Sequence, residues 1–139
     1  LTLAETKRWL KRAWFLDQRI NFLMRKHYEE IERVQSITAQ LSGMPSSPSK
    51  DPHKFDKISE IDDSIKNDVE RLKKIKREIK AKVEELDDDM QKIVLMEYYI
   101  PDEEGQHKTI EEIAYDYNYS TRQTFRVYKQ GVTNISKLL

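Results

Sequence analysis

The chain has no cysteine, three glycines and four prolines in 139 residues. Without cysteine there is no disulfide framework and no thiolate metal site. That composition fits a reducing compartment, and a cytoplasmic setting is the expectation. Glycine and proline punctuate turns, so their scarcity makes this poor material for a sheet. No apolar run approaches the roughly 20 residues of a membrane span, so no membrane partner is expected. Residues 1–25 interleave charges with apolar side chains, and no secretory leader is read there. The first residue is Leu1, which leads us to expect the natural start upstream. Charge of one sign is also lacking: 25 basic residues balance 25 acidic ones. A zero total counts mildly against a nucleic-acid protein, but local balance matters more.

What is present is charge and helical periodicity. Charged residues make up 36% of the chain, a bias suited to long amphipathic helices with solvated outer faces. The length allows one core, or one core plus a helical extension. Residues 5–42 read as one helix, with a stripe at Trp9, Ala13, Leu16, Ile20, Leu23, His27, Ile31, Val34, Ile37 and Leu41. Such a helix would reach about 55 Å at 1.5 Å per residue. It cannot stand alone with that stripe. Trp14, Phe15, Phe22, Met24 and Tyr28 widen it, which predicts burial by a further helix or a second subunit.

The run GMPSSPSKDP ends this helix, because three prolines and a glycine forbid its continuation. A loop over 43–53 is expected, without the glycine pattern of a phosphate loop. Residues 54–86 read as a second long helix. Ile58, Ile65, Leu72, Ile79 and Leu86 fall seven apart, a coiled-coil seam. Pairs such as Glu70–Lys74 and Glu78–Lys82 are spaced to meet on its outer face. The run KKIKREIKAK is then the solvated face of that helix rather than a nucleic-acid patch. Two helices of similar length with a short connection predict an antiparallel hairpin. A third helix over 87–100 is capped by Asp87 or Asp88 and stopped by Pro101.

Chemistry for catalysis is not legible. His27, His53 and His107 show no metal-ligand spacing. Asp87, Asp88 and Asp89 point in different directions from a helix start, so cap and dipole explain them better than a cation site. Tyr98, Tyr99, Tyr115, Tyr117, Tyr119 and Tyr128 could stack on bases, yet read better as core residues with their hydroxyls at the surface. No nucleophile–base pair and no cofactor fingerprint is found. The chain is expected to be no enzyme and to hold no cofactor or metal.

Residues 108–130 carry the sharpest pattern. Thr109 and Glu112 have capping-box spacing, as do Ser120 and Gln123. Ile110, Ile113, Ala114 and Tyr117 share one face of a short helix. Asn118 follows, the commonest residue after glycine to take a left-handed backbone. Ala114 is small enough to let a second helix cross closely. Cap, small residue, left-handed turn and new cap make a helix-turn-helix. The last helix is expected from Thr121 to Leu138. Its inward face reads Phe125, Tyr128, Val132, Ile135 and Leu138 or Leu139, and its outer face Thr121, Arg122, Gln123, Arg126 and Lys129. It carries four basic residues and no acidic one, whereas Asp87, Asp88, Asp89, Glu97, Asp102, Glu103 and Glu104 make the stretch before it acidic.

The run IAYDYNYSTRQTFRVYKQGV resembles the C-terminal region of phage-encoded ArpU/RinA-type transcriptional regulators. It is also similar to region four of sigma factors, which reads promoters with a helix-turn-helix. The residues that carry the match are Ile113, Ala114, Asn118, Tyr119, Ser120, Arg122, Gln123, Arg126 and Lys129. The match covers roughly thirty residues, and a weaker one extends over the helical N-terminal part. Two positions depart from the pattern. Thr124 stands where a buried aliphatic residue is usual. Gly131 stands where alanine is usual, and a helix-interior glycine costs about 1 kcal/mol relative to alanine. Both bear on the length and rigidity of the last helix.

The expectation is therefore an all-α chain with two parts: a long helical hairpin over 1–86 for assembly or partner contact, and a DNA-binding domain over 87–139. The expected function is sequence-specific transcriptional regulation of phage or prophage type. The helix starting at Ser120 would read the major groove of double-stranded DNA. Arg122 and Arg126 would reach base edges, Gln123 an adenine or the backbone, and Thr109, Thr121 and Lys129 phosphates. The resemblance implies contact with RNA polymerase. A module this small predicts a homodimer or higher homo-oligomer. Two alternatives stay open, a small-terminase-like protein that marks viral DNA for packaging and a coiled-coil adaptor that binds no DNA.

Overall fold

The computed structural model describes residues 1–41, 55–102 and 104–139, with side-chain surroundings given outside 37–41. The expected loop over 43–53, and the stripe positions Ile37 and Leu41, fall outside what is described. The protein is all-α, and among the described residues there is no strand. Six helical segments follow in order: α1 (Leu3–Leu10), α2 (Arg12–Leu41), α3 (Asp56–Glu84), α4 (Asp89–Tyr99), α5 (Ile110–Asp116) and α6 (Thr121–Leu138).

The first long helix starts earlier than its periodicity suggests. Thr2 caps it and Glu5 returns a bond to the Thr2 N–H, a complete capping box. It is also bent. Lys11 keeps a right-handed conformation between α1 and α2, and the ladder continues from the Phe15 N–H to the Lys11 carbonyl at 3.1 Å. The Arg12 guanidinium folds back over the Trp9 ring and donates to the Trp9 carbonyl. No glycine or proline marks this bend.

The chain forms two compact units, Leu1–Asp17 with Leu72–Leu139, and Gln18–Arg71. The observed grouping therefore takes the ends of both long helices into the unit that holds the helix-turn-helix, where the sequence suggested a division after residue 86. In the unit Gln18–Arg71, α2 and α3 run antiparallel: Arg19 meets Asp68 at 2.6 Å and Glu30 meets Lys57 at 3.7 Å. Asp68 is buried and is also bound by Arg71. Ile20 and Val34 are buried there, whereas Phe22, Met24, Tyr28 and Phe55 are exposed. Two helices can cover only one stripe of each other, so among the described residues Phe22, Met24 and Tyr28 stay outside the seam.

The other unit has a real core. Leu10, Ala13 and Leu16 join Ile79, Val83 and Leu86, with Val94, Leu95 and Tyr99 of α4, Ile113 and Ala114 of α5, and Val132 and Ile135 of α6. Asp88, not Asp87, caps α4. Glu78 reaches across to Arg12 at 3.1 Å and Lys82 pairs with Glu85, so the expected Glu78–Lys82 pair does not form.

α6 packs against α1, α4 and α5. Gly131 is the reason it can approach α4 so closely: a Cβ there would lie 3.1 Å from Leu95 Cδ1. The glycine that stands where the resembled pattern has alanine thus sits at a packing contact, inside a helix that continues to Leu138. Thr124, the other departure, is fully buried, and its hydroxyl is satisfied by the Ser120 carbonyl at 3.0 Å. Beside it the Tyr99 and Tyr128 hydroxyls bond to each other at 2.5 Å in the core. Those two hydroxyls are not at the surface, contrary to the sequence expectation, while Tyr115 is 85% exposed.

Two outcomes follow from this packing. Gly131→Leu overpacks the α4–α6 contact and is expected to cost about 1–3 kcal/mol in urea unfolding. Tyr99→Phe strands the Tyr128 hydroxyl and should cost about 1–3 kcal/mol, part of which returns in the Tyr99→Phe/Tyr128→Phe double variant. A double variant less stable than the single one would refute the pairing account.

Candidate nucleic-acid interface

The turn between α5 and α6 is built by local chemistry. Thr109 caps α5 by accepting from the Glu112 N–H, and its own hydroxyl leans on the Glu112 carboxylate. α5 then runs two turns and ends in a left-handed residue, Asn118, with φ 57°. The Tyr119 N–H reaches back to the Ala114 carbonyl at 2.9 Å, and the Asn118 N–H to the Tyr115 carbonyl at 3.4 Å. These two bonds are a Schellman closure. Ser120 next caps α6, accepting from the Gln123 N–H at 3.0 Å. At Thr109 and Ser120 the forward half of each box is formed, from the third N–H to the cap oxygen.

Burial fixes which face of α6 points inward. Thr124, Tyr128, Gly131, Val132 and Ile135 are buried. Ser120, Thr121, Arg122, Gln123, Arg126 and Lys129 are exposed, and so is Thr109 at the start of α5. Among the described residues neither Arg122 nor Arg126 makes an ion pair or hydrogen bond. Lys129 lies over the Phe125 ring at 4.6 Å. Phe125 is a correction to the expected inward face: it is 44% exposed, because it sits on the flank between the buried and bare sides. Of the two leucines offered for the end of that face, Leu138 is exposed and Leu139 half-buried.

The base of the motif is tied down by a cation that the sequence reading passed over. Lys108 bonds to Asp116 at 2.8 Å and to Glu97 at 3.0 Å, and the Tyr117 hydroxyl donates to the same Glu97 carboxylate. The bond to Asp116, then that to Glu97, pushes the Lys108 ammonium well above its ordinary range. Its charge is therefore spent inside the protein, joining α5 to α4.

The sequence reading also missed what stands behind α6. Trp14 donates its indole N–H to the Tyr98 carbonyl at 3.0 Å. The Trp14 ring lies 4.7 Å from His107 and 5.0 Å from Tyr98, and Tyr98 lies 5.1 Å from Tyr128. Both ring nitrogens of His107 are buried without a hydrogen-bond partner. Gly105, left-handed at φ 79°, lets the preceding loop press against the Asp17 carboxylate, leaving 3.2 Å for any Cβ. Trp14 is some ninety positions away in the chain and read only as a broad stripe residue, so no local pattern could have flagged this cluster.

No family model, curated protein or solved structure matches the chain.

Burial pushes the His107 imidazole below its ordinary 6.5, outweighing the pull of nearby Asp17 in the other direction. A histidine whose pKa is lower in the folded state resists protonation there. Its contribution is intact above about pH 6.5 and is lost as pH falls through and below that value. Burial raises the Asp17 pKa above 3.8, so Asp17 becomes easier to keep as pH drops, in a lower window. Melting temperature followed between about pH 8 and about pH 5 should therefore fall more steeply for the native chain than for His107→Phe. Equal slopes would show that the imidazole is not strained by burial.

Proposed function

We propose that the protein is a non-enzymatic DNA-binding transcriptional regulator of phage or prophage type, in a bacterial cytoplasm. The observation that carries this reading is the bare face of α6. Arg122 and Arg126 stand one turn apart, exposed and free of acidic partners, on a helix whose opposite side is packed. An arginine pair in that position suits the paired acceptors of guanine, and Gln123 suits adenine or the backbone. The capped N-terminus of α6 offers N–H groups near Thr121 to a phosphate. Lys129 and Thr109 flank the same side and would hold further phosphates. The Thr109 hydroxyl is already engaged in its cap, so its contribution would come from the backbone. The resemblance of 113–132 to region four of sigma factors supports the same docking, with RNA polymerase as a partner.

One module of this size reads few base pairs, so two copies on two half-sites are part of the proposal. The exposed Phe22, Met24, Tyr28 and Phe55 offer apolar surface for that assembly. Glu111 and Glu112 are exposed in the first turn of α5. In a helix-turn-helix that end lies near the backbone of the duplex, so these acids would oppose phosphate and keep nonspecific binding weak.

Selection of bound sites from random duplex DNA, followed by anisotropy titration at two salt concentrations, tests this reading. Arg126→Ala is expected to lose about 1–3 kcal/mol of specific binding with an unchanged melting curve. Glu111→Gln/Glu112→Gln should tighten binding to all sequences alike. No salt-sensitive retention of any duplex would remove the regulator reading.

A further inference from the structure

A cavity of about 700 Å3 opens between the starts of α5 and α6 and the Trp14 cluster. Its walls include Trp14, Tyr98, Phe125 and Ile110, and its polar groups include His107, Arg122 and Glu111. This size lies within the range of small-ligand sites, which pair apolar walls with a few convergent polar groups. Three features bear on the occupant. The walls are mainly aromatic rings, which favour a flat π-system in stacked or edge contact. Arg122 and Glu111 both line the cavity and neither has an ion pair among the described residues, while Lys108, the other cation there, is held by Glu97 and Asp116. The open guanidinium fork of Arg122 matches a carboxylate with two parallel bonds, an attraction that the Glu111 carboxylate in the same wall offsets in part. His107 adds a donor and an acceptor that nothing in the protein satisfies, and buried polar groups ordinarily have a partner.

We propose that this cavity is a binding site for a planar aromatic carboxylate, its ring among Trp14, Tyr98 and Phe125 and its carboxylate on Arg122. The site lies within the unit of Leu1–Asp17 and Leu72–Leu139. Binding there needs no DNA. Where the DNA reading above also holds, the ligand and the duplex share Arg122 and compete for it.

Isothermal titration calorimetry of the full chain with 2-naphthoate tests the site, with the uncharged 2-naphthamide as comparator and no DNA present. The expected result is saturable binding of one 2-naphthoate per chain at about 1 mM or tighter. The amide should bind about tenfold more weakly or worse, since a hydrogen bond to a charged group is lost. Arg122→Gln should bring 2-naphthoate down to the level of the amide. Arg126→Gln, on the same helix but outside the cavity, should leave its affinity unchanged. Arg122 is exposed, so the variant is expected to fold, and an unchanged melting curve verifies that. Absence of saturable binding, equal affinity for acid and amide, or an equal loss in Arg126→Gln would each overturn the proposal. A gel shift with the selected DNA then reads the competition separately. Undiminished retention at saturating 2-naphthoate would overturn the shared use of Arg122.

Discussion

The rotation of α6 about its own axis is the constraint on which the rest of the site depends. Inward positions are set by the close approach at Gly131 against Leu95, by the hydroxyl pair of Tyr99 and Tyr128, and by Thr124 seated at the level of the turn. Each is specific in a way that hydrophobicity alone is not. A larger residue at 131 would push the helix off α4. A turn of the helix by one position would strand two phenolic hydroxyls in the core, and an unpaired buried hydroxyl costs about 1–3 kcal/mol. With that rotation fixed, Arg122, Arg126 and Lys129 have only one side on which to stand.

The second constraint acts at the other end of the motif. α5 is only seven residues long, too short to be stable by its own helical bonds. It is held by Ile113 and Ala114 in the core, by the Schellman closure at Asn118, and by Lys108 bridging Glu97 and Asp116. Because Lys108 is committed to that bridge, the free positive charge of the region rests on α6. Lys108 of that bridge also lines the cavity, so the geometry of the turn and the shape of the cavity are not independent.

Much of this was legible in the residues. The capping spacings, the asparagine turn and the outer face of α6 are local patterns with a period of a few residues, and local rules read them. The all-α class followed from the same periodicity and the lack of breakers. What was not legible depends on distant partners. Phe125 has helical spacing with Tyr128 and Val132, yet it lies at the edge of the buried face, where only the neighbouring helices decide its exposure. Gly131 looked like a weak point because propensity scales carry no knowledge of Leu95. The bend at Lys11 leaves no mark in composition, since its backbone stays right-handed. His107 in a loop gave no sign that Trp14 would close over it.

The distribution of charge explains why a neutral chain can still present a basic surface. Most helical cations of this protein have an acid three or four positions away: Lys26 with Glu29, Arg33 with Glu30, Lys66 with Asp62, Lys82 with Glu85. Such pairs add a few tenths of a kcal/mol each and cancel one another's field at a distance. α6 is built differently. The positions three and four away from Arg122 and Arg126 are Asn118, Tyr119, Arg122, Gln123, Phe125, Arg126, Lys129 and Gln130, none of them acidic. A helix meant only for a solvated surface gains from alternating signs, as α2 and α3 do. A helix that omits every acid over its length forgoes that gain, and the like charges at Arg122 and Arg126 repel by a similar amount. The omission is explained if an anion meets this face, whether the phosphates of a duplex or the carboxylate of a ligand at Arg122.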